Sequence, residues 1–289
     1  MRAPRAPTLH SGPMTTVRRG LDSQGYIERD GSLGRVQDAF RPVVAAARDQ
    51  VADVFGKRLD SAYLYGSVPR GTARVHRSDL DLLLVLREEP GDGDRADARA
   101  VSAAVDKEFA EVDGVGILLL SRARVLSDHE TYDHGWFLAC LCTPLLGEDL
   151  AEFLPRYRPD SRLARGTNGD LAALLPSWRE RLDSAAAAGD DAALRALCRT
   201  VSRRVVRTGF TLVMPRWNGW TGELDEMAEV FGRYCPEWAD RMRAAAALAY
   251  EPVADPGAVR ELTDVLGPWL AREYTARHGA RTPGPSDTP

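Results

Sequence analysis

Two aspartates, Asp79 and Asp81, head the apolar run Asp79-Leu-Asp-Leu-Leu-Leu-Val-Leu86, and eleven residues before Asp79 a shorter apolar run, Ser61-Ala-Tyr-Leu-Tyr65, ends in Gly66-Ser67. Side chains of a strand alternate between faces, so period two places both carboxylates on one face. Two like charges held that close raise each other's free energy, and a cation between them removes the cost. Oxygen-only donors point to Mg²⁺ in preference to zinc. Gly66 lets the backbone come close to a ligand. The N–H groups that follow it, with the Ser67 hydroxyl, suit phosphate oxygens. Gly71 offers a second close approach, and Arg70 and Arg74 bring positive charge. An Asp-x-Asp pair alone is often an exposed strand end, and Gly-Ser alone is a common turn. The ordered conjunction of strand, Gly-Ser, loop, Asp-x-Asp and apolar strand is specific to phosphate and metal chemistry.

Around this segment the apolar positions predict an α/β unit. A helix follows from Val36, with Phe40, Val43, Val44, Ala47, Val51, Val54 and Phe55 at helical spacing. Pro42 marks its first turn or a kink. Strands are expected at 61–67, 79–86 and 114–121, with a helix across 93–110 between the last two. After about residue 150 helical stripes replace strand-like runs. The clearest is 193–213, where Leu194, Leu197, Cys198, Val201, Val205 and Leu212 share a face. Further helices are expected at 222–233, with Thr221 as N-cap, at 236–249, with Pro236 in its first turn, and at 257–275. The expected organisation is a disordered arm over 1–20, an α/β (α+β) domain with a small mixed sheet over 21–150, an all-α bundle over 151–278 and a disordered tail over 279–289.

Composition narrows the class. The formal net charge is −4 over 289 residues, which argues against a nucleic-acid binder. The longest uncharged apolar run, Gly135 to Gly147, falls short of the ~18 residues of a membrane span. Lys57 and Lys107 are the only lysines among 38 basic residues, so any triphosphate held by a basic side chain is held by arginine. The four cysteines lack C-x-x-C spacing and read as buried thiols. No signal-peptide pattern is visible at the N-terminus, and a cytoplasmic location is the expectation.

The Leu64–Leu84 segment resembles the signature of the DNA polymerase β-like nucleotidyltransferase superfamily, in particular its minimal and aminoglycoside-nucleotidyltransferase branches. The resemblance is close over 61–121 and extends loosely to the helical half. It implies that Gly66 and Ser67 hold a nucleoside triphosphate and that Asp79 and Asp81 bind two Mg²⁺ ions. The spacer from Ser67 to Asp79 is one residue longer than usual, a small change in a surface loop. Catalysing members of the superfamily carry a third carboxylate on a neighbouring strand. The strand GVGILLLS is uncharged. The candidates are Asp113, just before it and the first choice as metal ligand or base, and Glu111. Arg195, Arg199, Arg203 and Arg207 form a basic row along the 193–213 helix. The resemblance assigns a triphosphate contact to such a helix, with Arg203 and Arg207 the best matches, beside Arg70 on the turn.

Weaker signals complete the list. Trp217 and Trp220 line a substrate pocket or pack a seam between domains. His76 reads as a surface residue, and His129, Glu130, Asp133 and His134 form a polar cluster without metal-site spacing. The implied function is Mg²⁺-dependent transfer of a nucleoside monophosphate, AMP from ATP or another NTP, to a hydroxyl of a small aminoglycoside-like molecule or of a protein. The alternative is a non-catalytic nucleotide- or partner-binding regulator that retains Gly-Ser and Asp-x-Asp. No membrane or nucleic-acid partner is expected, and the oligomeric state stays open.

Overall fold

The computed structural model describes residues 19–281. The expected disordered arm and tail therefore lie outside the described residues except at 19–20 and 279–281.

The first half is a four-stranded mixed sheet with helices on one face. Helix α1 (Arg41–Phe55) carries Pro42 in its first turn, where no backbone N–H is needed. Strand β1 (Leu59–Tyr65), the single turn α2 (Ser67–Arg70) and strand β2 (Leu80–Leu86) follow. Helix α3 (Asp92–Glu108) crosses over to strand β3 (Val115–Ser121). A short turn, α4 (Arg122–Val125), and two wide helical turns, Thr131–Gly135 and Phe137–Leu141, lead to β4 (Thr143–Gly147). The strand order is β3-β2-β1-β4. β1 is antiparallel to both β2 and β4, while β2 and β3, joined through a helix, are parallel. β4 had no strand signature of its own: Pro144 sits inside it, a residue that only an edge strand accommodates.

Period two divides the sheet's side chains. Leu80, Leu82 and Leu84 of β2, with Ala62 and Leu64 of β1, face α1 and α3 and close one core with Val43, Val51, Val101 and Val105. Tyr63, Leu83 and Val85 point to the other face and pack with Leu120, Val125, Leu138 and Leu150. Asp81 belongs to this second face by alternation, at the end of the sheet where no apolar side chain covers it.

The second half is helical: α5 (Ser161–Asn168), α6 (Leu171–Ala188), α7 (Asp191–Trp217), α8 (Leu224–Tyr234), α9 (Ala239–Tyr250), α10 (Pro256–Arg260) and α11 (Gly267–His278). Helix α7 is the axis of the bundle, with Leu194, Leu197, Val201, Val205 and Phe210 buried along it. The single helix expected at 257–275 is interrupted by a wide turn at Glu261–Leu266. Pro268 follows directly and cannot donate the backbone hydrogen bond that would continue a regular helix. The N-cap of α8 is Glu223, not Thr221; the Thr221 hydroxyl accepts from Glu223 N–H (3.2 Å) and donates to Glu226 Oε2 (2.6 Å). Pro236 opens a short 3₁₀ turn, Pro236–Trp238, ahead of α9.

Residues 19–30 tie the two halves. Arg19 O accepts from Trp220 N–H (2.8 Å), Ile27 N–H donates to Tyr157 O (2.8 Å), and Asp30 N–H donates to Cys140 O (2.8 Å). Among the described residues no helix is long and apolar enough to cross a membrane.

Candidate active site

The Gly-Ser turn and the Asp pair meet because β1 and β2 are hydrogen-bonded neighbours in the register Tyr65↔Asp81. The chain leaves β1 at Gly66, whose φ of +81° is the left-handed region that a side chain resists. A Cβ at Gly66 would lie 2.7 Å from Asp81 Oδ2, so glycine is also required by the carboxylate beside it. Ser67 then starts α2, which is anchored by buried Val68 and Pro69. Thr72 N–H donates back to Ser67 O (3.1 Å).

The loop before β2 is held at several points. Arg74 N–H donates to Ser78 Oγ (2.9 Å), and His76 Nδ1–H donates to Ala110 O (2.5 Å). His76 N–H donates to Glu111 O (2.9 Å), so this exposed histidine is an anchor between loops. Asp79 and Asp81 are both half-buried. Burial and then the neighbouring Asp79 push the Asp81 carboxyl up to about 6, with Arg203, Arg70 and Arg207 opposing the rise.

Three arginines therefore face the pair. Arg203 and Arg207 come from α7 and Arg70 from α2. Burial and the neighbouring Arg199 lower the pKa of Arg203, against the pull of Asp81 and Asp79. Arg207 keeps exposed surface where α7 approaches the end of the sheet, close enough to Tyr65 and Asp81 to act on both. Crowding by protein and then by Arg203, Arg204 and Arg70 lowers its pKa to about 10. The buried Nε atoms of Arg203 and Arg70 have no hydrogen-bond partner. Arg70 is held from behind: NH1 donates to Gly222 O (3.1 Å) and lies 3.6 Å from both Asp30 and Glu223. Arg195, at the start of the row, is exposed and paired to Asp191 at 3.5 Å.

The sheet register also decides the third carboxylate. β2 and β3 run in the register Asp81↔Gly116, and a Cβ built on Gly116 lies 3.1 Å from Asp81 Oδ1. One on Gly114 lies 3.6 Å from Asp79 Oδ1. The two positions flanking the Asp pair on its own face are thus both glycines. Asp113 is exposed, on the alternate side, with its N–H donating to Ser78 O (3.1 Å). Neither Asp113 nor Glu111 joins Asp79 and Asp81 in a group of ligand atoms within 4.8 Å of one another; among the described residues that distance is met only by Glu130, Asp133 and His134.

Those three residues form an ion-pair network. Glu130, buried, accepts from His134 Nδ1–H (2.9 Å) and lies 3.7 Å from Arg124 and 3.5 Å from Arg281, and Arg281 donates to Asp133 (2.6 Å). Two guanidinium groups on the same carboxylates leave no charge for a cation to neutralise. Trp217 and Trp220 are buried, and Trp220 packs edge-on against Trp136 (4.8 Å) and Phe210 (5.5 Å), so they form the seam and not a pocket wall.

Three contributors carried no local signal. Tyr65 is beside Asp81, and burial followed by Asp81 raises its pKa. Only the β1–β2 register reveals that neighbour. Asp30 and Glu223 reach Arg70 from segments far apart in the chain. Burial raises the Asp30 pKa, Arg70 counters it, and Glu223 adds to the rise.

The donor set fits a divalent cation: two carboxylates on one face, no lysine or arginine ion-paired to either among the described residues, and no side chain on Gly114 or Gly116 to crowd their oxygens. Residues 47–115, which contain the Gly-Ser turn and both aspartates, match the family model of the nucleotidyltransferase domain. No curated protein matches the sequence. Among solved structures, the crystal structure of spectinomycin adenyltransferase AAD(9) from Enterococcus faecialis with ATP and spectinomycin is similar at a TM-score of 0.48 and 14% identity, covering 81% of this chain and 98% of that one.

Proposed function

Starting from a chain whose residues 47–115 carry a nucleotidyltransferase domain, we propose that it transfers a nucleoside monophosphate, AMP from ATP in the first instance, to a hydroxyl of a cationic small molecule. The acceptor oxygen bonds to the α-phosphorus, the bond to the bridging oxygen of pyrophosphate breaks, and the acceptor proton is released. One observation carries the reading: a half-buried carboxylate pair has three arginines, from α2 and α7, near enough to act on Asp81, and two of those arginines keep a buried N–H without a partner.

Asp79 and Asp81 would hold Mg²⁺, which would supply positive charge to the triphosphate and its leaving group. Gly66 brings the backbone, and Ser67 its hydroxyl, to the phosphates. Arg203, Arg207 and Arg70 take the β- and γ-phosphate charge, each already in place before the nucleotide arrives. Asp113 stands outside this group, so the Asp pair acts without it. Asp30 and Glu223 put carboxylates on the cleft edge beside Arg70, which favours a cationic acceptor.

The test is label transfer from α-³²P-labelled NTPs with Mg²⁺ and cell extract, split into small-molecule and protein fractions. Label in the small-molecule fraction is expected with the unaltered chain and not with Asp81→Asn. Arg207→Met is expected to raise the ATP Kd roughly tenfold or more, the scale of a lost charge-assisted contact, with no fall in melting temperature. Label in the protein fraction instead would move the acceptor to a protein hydroxyl.

A second reading is favoured by Gly116, which occupies the place beside Asp81 where a third carboxylate fits. On that reading the chain binds NTP and Mg²⁺ and regulates a partner without transferring. Tight Mg²⁺-dependent ATP binding with no labelled product in either fraction would select it.

A further inference from the structure

The sheet has two edges, and they differ. β4 is five residues long, contains Pro144, and pairs with β1 through an irregular register between Ala62 and Tyr63. A proline and a bulge are the usual guards of an edge strand. β3 has neither. It pairs with β2 over seven consecutive positions without irregularity, and its sequence VGILLLS carries no charge. The ladder starts with Leu80 N–H donating to Gly114 O (2.9 Å). In a parallel ladder the bonding residues then alternate, so the N–H and C=O groups of Val115, Ile117 and Leu119 point away from β2. An open, regular, apolar edge is a template for another strand.

Beside that edge lies a groove of about 660 Å³ between β3 and α3. Its floor is Val115, Ile117 and Leu119, all partly exposed, and its wall is one stripe of α3 with Arg95 and Arg99 toward one end and Asp106 at the other. Arg99 and Asp106 make no ion pair among the described residues, and Arg95 reaches only the exposed Asp92, at 3.8 Å. The middle of the stripe is small: Ala98, Ser102 and Ala103.

We propose that this edge and stripe are the contact surface of a homodimer in which two copies join antiparallel along β3 into one eight-stranded sheet. A two-fold axis at Ile117 pairs each Val115 with the other copy's Leu119, using the outward N–H and C=O groups. The same operation turns α3 end for end. Arg95 and Asp106 lie eleven positions apart, about three helical turns, and so on one stripe. Reversed about the middle of that stripe, Arg95 meets the second copy's Asp106 and Arg99 meets its Ser102. The small central residues let the two helices approach. The seventeen residues of α3 span ~25 Å and the seven of β3 ~23 Å, so the two elements present edges of matching length. The Arg95–Asp106 pairs make the surface self-complementary in charge at both ends of the stripe, while Arg99 faces the neutral Ser102 near the axis. A foreign strand would find the same backbone template with its charges unmatched.

Sedimentation equilibrium of the full chain tests it. The expected species has twice the 31.7 kDa of one chain. Arg95→Glu and Asp106→Arg are each expected to weaken the dimer ~10-fold, and the two together, which restore opposite charges across the axis, to recover it. Ile117→Lys is expected to give a monomer that keeps its native circular dichroism but melts lower, because Ile117 also packs against the core beneath the sheet and the dimer contact is lost. A monomer at the highest soluble concentration overturns the proposal. So does a dimer indifferent to both single charge reversals. A monomer whose β3 amides resist hydrogen exchange would give the edge to another segment of the same chain, and overturns it equally.

Discussion

Asp81 is the residue on which the site turns. Its carboxyl is raised by burial and by Asp79, which is the cost of placing two like charges in a partly dry site before a cation arrives. Gly66 and Gly116 stand on either side of it, on β1's end and on β3. The first was legible from Gly66-Ser67 itself. The second was not, because GVGILLLS gives no sign of which residue lands beside Asp81 until the register is known. Gly116→Asp tests what that glycine does. Its Cβ would sit 3.1 Å from Asp81 Oδ1, a contact that needs a small shift of the neighbour. Three carboxylates without a cation repel, so the variant is expected to melt lower than the parent in EDTA. In Mg²⁺ or Mn²⁺ it is expected to recover more than the parent does, because ligand binding to the folded state adds stability in proportion to affinity. Thermal melts with and without metal read both effects. An equal metal response in variant and parent would show that position 116 does not reach the ion.

Among the elements, α7 does most to build the site. Its apolar stripe was legible from periodicity, and so was the row of arginines on its flank. Which arginines face the aspartates was not, because the spacing i, i+4, i+8 treats all four alike. Docking of the bundle against the sheet selects Arg203 and Arg207. α11 fastens α7 and α5 through His278: Nε2–H donates to Leu212 O (3.0 Å), and Nδ1 accepts from the Ser161 hydroxyl (3.0 Å). Burial holds that imidazole below its ordinary value of 6.5. The unfolded chain takes up the proton first, so the stabilisation from the neutral ring is complete above the unfolded value. It is lost as pH falls from there through the lower folded value. Urea unfolding of the parent and of His278→Gln at about pH 7.5 and about pH 5 is expected to show the parent's advantage shrinking at the lower pH. A constant difference would place the proton elsewhere.

At the scale of the whole molecule, residues 19–30 hold sheet and bundle in one arrangement. Arg29 fastens this segment to the sheet half, with NH1 and NH2 on Asp149 at 2.8 and 3.1 Å and Nε on Ala139 O at 3.1 Å. Arg29→Met is expected to cost ~2 kcal/mol in urea unfolding, and Arg29→Lys, which loses the two-pronged geometry, nearly as much. Tryptophan fluorescence should follow it, since Trp136 and Trp220 pack in the seam that the segment covers. Read alone, the sequence determined the order of strands and helices from α1 to β3, the shared face of Asp79 and Asp81, the glycine at the turn and the helical character of the second half. Each of these depends on residues within one turn or one strand of each other, so a local period or a short motif suffices to express it. Tertiary structure alone decided that Gly116 lies beside Asp81, that Asp30 and Glu223 brace Arg70, that Arg203 and Arg207 are brought near Asp81, and that β4 completes the sheet. These depend on strand register and on the docking of segments as far apart as Arg70 and Glu223. Such contacts are chosen by the packing of whole surfaces, which no local pattern in the chain encodes.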